Sequence, residues 1–122
     1  MSEFKSVEYF KKIEEGIKGM PDNERADLRK KTNGVFEIHV KNAGGKEFVE
    51  TIDFKKENTA YEGKAKGKAD VVINLADDTF VDLAEGKLNG QKAFMSGKLK
   101  VKGNVMLATK LDGVLKAQRA KL

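Results

Sequence analysis

Residues 34–54 read GVFEIHVKNAGGKEFVETIDF, and the spacing of apolar residues in this stretch leaves little freedom of fold. Phe36, Ile38 and Val40 alternate with Glu37, His39 and Lys41. A period of two turns one face of a strand to the interior and the other to water. Asn42 to Lys46 supplies turn chemistry, and Phe48, Ile52 and Phe54 resume the alternation. The segment therefore reads as a β-hairpin.

The flanking sequence changes period. Phe4, Val7, Phe10, Ile13 and Ile17 recur every three or four residues, one stripe of an amphipathic helix that Gly19 and Pro21 end. A second, mostly charged helix is expected over residues 23–31. After the hairpin, KENTAYEGKAKGK reads as a polar loop or a poor edge strand, and ADVVINL as a clear strand. Asp77 is expected to cap a short helix carrying Phe80, Leu83 and Ala84, with Gly86 as its stop. Asn89 opens another short helix with Ala93, Phe94 and Met95. A comb follows, Lys98, Lys100 and Lys102 interleaved with Leu99 and Val101. It is either a grip for a polyanion or the wet face of a strand. A last amphipathic helix carries Val105, Met106, Leu107, Leu111, Val114 and Leu115, and its apolar stripe stops there.

At 122 residues the chain can bury roughly two thirds of the surface its unfolded form exposes, enough for one domain. Lys and Arg number 24 against 19 Asp and Glu, a net +5 that reads as spread along the chain rather than gathered in a basic tail. This favours anionic surfaces, membranes included. Arginine occurs only at Arg25, Arg29 and Arg119, few for a nucleic-acid module. Cysteine is absent, so disulfide and thiolate chemistry are excluded. No apolar run approaches the roughly 18 residues of a membrane span, and the N-terminus lacks the apolar stretch of a secretory signal. The expectation is a soluble, intracellular protein.

Catalytic groups are scarce. His39 is the only histidine and falls on the polar face of its strand, where an ordinary exposed side chain is expected. A metal site would lack its usual His and Cys donors. Gly63 and Gly67, beside Lys64 and Lys66, do not form a phosphate-cradling loop. No serine has a plausible histidine partner. The expectation is a non-enzyme without cofactor or metal.

The second half, FVDLAEGKLNGQKAFMSGKLKVKGNVMLATKL, resembles the sterol carrier protein type 2 (SCP2-like) family of lipid carriers. Gly86 and Lys87, Ala93 and Phe94, the run GKLKVKGN and the Met106–Leu107 helix carry the resemblance. It implies an α/β fold of the α+β type over residues 1–122, a five-stranded twisted mixed sheet covered by helices and enclosing an apolar lipid tunnel. It implies a non-catalytic carrier that binds fatty acids, fatty acyl-CoA, sterols or phospholipids and transfers them between membranes or to peroxisomal enzymes. The comb is then the solvated face of a strand. Expected lipid-binding residues are Phe80, Leu83, Phe94, Met95, Leu99, Val101, Met106, Leu111 and Leu115, with Gln91 a possible polar contact that is more often an exposed helix residue. Expected partners are the lipid and, transiently, anionic membranes, for which the basic first helix is a candidate surface. The protein is expected to be a monomer. Ala120, Lys121 and Leu122 resemble a peroxisomal address read by an import receptor. The Met-Ser start suggests a free-standing product. The rival reading is a small basic nucleic-acid-binding module.

Overall fold

The computed structural model describes residues 4–56 and 59–119, with the side chains of residues 112, 114 and 116–119 outside the description. Two helices, α1 (Ser6–Lys18) and α2 (Asp22–Thr32), precede the hairpin β1 (Val35–Lys41) and β2 (Glu47–Asp53). There follow β3 (Thr59–Glu62), β4 (Val71–Ala76), α3 (Asp77–Glu85), α4 (Gly90–Met95), β5 (Leu99–Gly103) and α5 (Val105–Arg119). The polar stretch after the hairpin thus contributes an edge strand as well as a loop.

The strands form one five-stranded mixed sheet in the order β3-β2-β1-β4-β5. Strands β1 and β4 are parallel and every other pair is antiparallel. Side chains paired across a sheet share a face, so register extends the hairpin's alternation to all five strands. Phe36, Ile38 and Val40 lie beside Val71, Ile73 and Leu75, and Leu75 lies beside Leu99. All seven are buried. In contrast Lys98, Lys100 and Lys102 are exposed while Leu99 is buried, so the comb is the outer edge of a strand.

Helices α1, α3 and α5 cover the inward face. Phe10, Ile13 and Ile17 of α1 are at most 2% exposed. The Phe10 ring stacks on Phe80 of α3 at 4.2 Å between centroids and on Phe48 of β2 at 5.6 Å, which ties helix to helix and helix to sheet. Leu107, Ala108, Leu111 and Leu115 of α5 face the same core.

Two expectations are corrected. Asp77 does not cap its own helix with its side chain: Ala76 occupies that position, and Asp77 is the first residue of α3. Its carboxylate instead accepts the backbone N–H groups of Lys5 (2.8 Å) and Ser6 (2.9 Å) at the start of α1. One anion thereby neutralises the positive ends of two helices. His39 is not an ordinary exposed side chain. Its Nε2 lies 2.6 Å from Glu37 and its Nδ1 2.9 Å from Glu47, and the side chain is only 13% exposed.

Gly103 ends β5 with φ +97°, and a Cβ there would stand 2.5 Å from the Asp70 carbonyl oxygen. Only glycine permits both that dihedral and that approach. The approach lets Asn104 donate its N–H to the same oxygen at 3.0 Å, which aims the chain into α5.

Candidate functional site

Five of the nine candidate lipid-binding residues meet inside the molecule. Phe80 and Leu83 come from α3, Leu99 from β5, and Leu111 and Leu115 from α5. Each is at most 4% exposed and all belong to one apolar cluster. Val101 is half-buried and packs against the edge of that cluster.

Phe94 (43% exposed), Met95 (77%) and Met106 (74%) are not brought to the interior. The geometry of α4 explains two of them. Its six residues follow the cap Asn89, whose side chain accepts the Lys92 N–H at 2.7 Å, and end before Ser96, whose hydroxyl donates to the Lys92 carbonyl at 2.8 Å. So short a helix buries one narrow face, here Gly90 and Ala93, and Phe94 and Met95 leave on the other side. Gln91 is exposed as well. Val114 has no described side chain, and residues 120–122 lie outside the described residues.

The interior holds one group that the sequence reading did not select. Glu50 of β2 is completely buried, and neither carboxyl oxygen has a hydrogen-bond partner among the described residues. Register places it on the inward face, between Ile38 of β1 and Glu62 of β3. Burial pushes its carboxyl up to about 9, and the nearby charge of Glu14 on α1 adds to the effect. Burial therefore favours the protonated, neutral form of Glu50. The signal was present in the sequence, because Glu50 shares the phase of Phe48, Ile52 and Phe54.

The opposite face of the sheet is polar. His39 spans Glu37 and Glu47, and Glu37 also accepts the Ala65 N–H at 3.0 Å, fastening the loop after β3. Burial disfavours the imidazolium, but the bonds to Glu37 and Glu47 outweigh it and raise the His39 value. Burial likewise opposes ionisation of Glu37, and the bonds from His39 and Ala65 more than offset it. Two surface clefts open on this side. One of about 300 Å³ is lined by Asp53, Lys55, Lys56, Tyr61, Lys66 and Asp70, the other of about 500 Å³ by His39, Lys41, Asn74 and Lys100 among others. Neither cleft is lined by any of the nine candidate residues, so the burial pattern locates the candidate site and the clefts do not. Among the described residues no group of three or more His, Cys, Asp or Glu could hold a metal ion, and no helix is long and apolar enough to cross a membrane.

A five-stranded mixed sheet with one apolar face roofed by helices makes an α+β fold, the fold of solved sterol carrier protein 2 structures. The apo structure of sterol carrier protein 2 from Yarrowia lipolytica superimposes with a TM-score of 0.87 at 39% identity, over 95% of this chain and 93% of that one. Residues 10–116 match the SCP-2 sterol transfer family, and the chain belongs to it. Among relatives, the oleate-induced peroxisomal protein POX18 of Candida maltosa is 45% identical over 93% of this chain and 88% of its own length. A fatty acid-binding protein of Yarrowia lipolytica is 43% identical over 76% of this chain and 74% of its own. The peroxisomal multifunctional enzyme type 2 of mouse is 46% identical over 74% of this chain, but the match spans only 12% of that enzyme. The same domain thus occurs in carriers and within larger enzymes.

Proposed function

We propose that residues 1–122 form one lipid-binding domain that sequesters a fatty acid, fatty acyl-CoA, sterol or phospholipid in the apolar interior and carries it without chemical change. The observation that carries this reading is the convergence of Phe80, Leu83, Leu99, Leu111 and Leu115 on one interior, in a chain of a sterol transfer family. Val101 packs against the edge of that cluster, and we assign Phe94, Met95 and Met106, which stand exposed, to the same site as contacts made when lipid enters or leaves. Each sequestered methylene contributes about 0.8 kcal/mol, so ten of them supply about the free energy of a micromolar complex. Burial has no direction, and specificity is correspondingly loose. The names of the Yarrowia and Candida relatives support fatty acids as cargo and the peroxisome as location. Those names also support Ala120, Lys121 and Leu122 as a peroxisomal address.

Titrating a fluorescent fatty acid and a labelled oligonucleotide in parallel tests the reading. Saturable micromolar binding of the fatty acid alone is expected, with acyl-CoA recovered intact after incubation. Oligonucleotide binding at physiological salt without fatty-acid binding would establish the rival nucleic-acid module.

A further inference from the structure

Among the described residues, the buried side-chain oxygens left without a hydrogen bond belong to Ser6 and Glu50, and Glu50 holds both of its own in that state. A buried carboxyl without a partner costs stability, and a leucine in the same phase would avoid that cost. The charged side chains that act on Glu50, Glu14 of α1 and Glu62 of β3, are acids too and supply no compensating cation.

Its place in the sheet ties it to the candidate lipid site. Phe48 and Ile52, the next residues in phase on either side, share its face. Phe48 stacks on Phe10, and Phe10 stacks on Phe80 of that site. Across the strands the pairing runs Glu50, Ile38, Ile73, Val101, one row that starts at the unpartnered carboxyl and ends at another residue of the site. Three strand spacings make the row roughly 14 Å long, within the reach of an extended acyl chain.

We propose that Glu50 is the polar anchor of the lipid site and hydrogen-bonds the hydroxyl end of an uncharged lipid. The proposal rests on the reading that the interior holds lipid, and it adds where the polar end sits and which polar end is accepted. A hydroxyl donates one bond and accepts another, the complement of a neutral carboxyl that offers both an O–H and a C=O. Burial favours that neutral form. An ionised carboxylate in the same place would stand against Glu14 and Glu62, so a fatty acid anchors poorly there by its charged end. The tail of the lipid then lies along the row toward Val101.

Displacement of diphenylhexatriene, a neutral apolar probe, from the full chain tests the anchor. The competitors are hexadecanol and heptadecane, which carries a methyl group where the alcohol has its hydroxyl. The ratio of alcohol to alkane affinity should fall about tenfold in Glu50→Leu and stay within about threefold of wild type in Glu50→Gln, whose amide still donates and accepts. Glu50→Met, an unbranched alternative, carries the same expectation as Glu50→Leu. A general change in the interior shifts both affinities together and cancels in the ratio, which a merely structural Glu50 would leave unmoved. The ratio of palmitate to heptadecane should not follow the alcohol ratio. With both neutral lipids bound, an unchanged alcohol ratio in the Leu and Met variants, or a palmitate ratio that falls alongside it, would overturn the anchor and leave the lipid-binding reading standing. No displacement by any of the three would overturn that reading and the anchor with it.

Discussion

The two edges of the sheet are finished in opposite ways. At the β3 edge the cover is complete: α1 buries Phe10, Ile13 and Ile17 and encloses the carboxyl group of Glu50 with them. At the β5 edge the cover is partial, and Phe94, Met95, Val105 and Met106 face water. One flank hides a polar group that prefers solvent, and the other shows apolar groups that prefer the core. Each departure costs stability, because an unpaired buried carboxyl and exposed methyl groups are both disfavoured. The difference teaches that the two flanks meet different surroundings, α1 sealed onto the core by its apolar stripe and α4–α5 left with apolar side chains in water.

The comparison can be broken first at the core. Leu111 of α5 is 3% exposed and belongs to the buried apolar cluster. Leu111→Ala should destabilise the fold by about 2–5 kcal/mol in urea unfolding. A loss under 1 kcal/mol would mean that this packing is already loose.

Glu50→Gln tests the sealed flank and should stabilise the protein by on the order of 1–3 kcal/mol at neutral pH. In the folded chain the Glu50 carboxyl titrates at about 9, against 4.5 for an ordinary glutamate. The folded form therefore retains a proton that the unfolded chain releases. Its contribution is fully present below 4.5 and is lost as pH rises toward 9. Thermal melts should show the variant's advantage smallest near pH 4.5 and growing through pH 8. A pH-independent difference would show that Glu50 is ionised in place.

A smaller effect is expected at His39, whose value is raised above the ordinary 6.5. Its stabilising contribution is fully present below 6.5 and fades as pH rises through the raised value. His39→Gln should cost about 0.5–1 kcal/mol at pH 6, less than a sealed pair would give because Glu47 is half in water, and the gap should narrow by pH 9. Smallest of all, Met95→Gln and Met106→Gln should leave the melting temperature almost unmoved, with a change within about 0.5 kcal/mol. A larger loss would mean that these side chains pack inside in solution.

Elements set by local period were legible in the sequence: the stripe from Phe4 to Ile17, the alternation from Phe36 to Val40, and the comb of Lys98, Lys100 and Lys102. Each depends on which residues share a face, and that follows from spacing alone. The partner of Asp77 was not legible, because a carboxylate at a helix start caps equally well a helix 71 residues away. His39 could be placed on a polar face, but its grip on Glu47 requires the hairpin register. The exposure of Phe94 and Met95 depends on how few turns α4 has, and a list of apolar residue types does not contain that length. Glu50 was readable in principle, since its neighbours in phase are all apolar.

The bond from Asp77 to the start of α1 also has a consequence for synthesis. Helix α1 leaves the ribosome before α3, and its N-terminal N–H groups are satisfied by a residue made 71 positions later. At roughly 5–20 residues per second, α1 spends on the order of 4–14 seconds without that anion. Phe10 waits about as long for its stacking partner Phe80 on α3. A nascent chain stalled ahead of Asp77 would present the apolar stripe of α1 to chaperones, and one released beyond α3 would withdraw it.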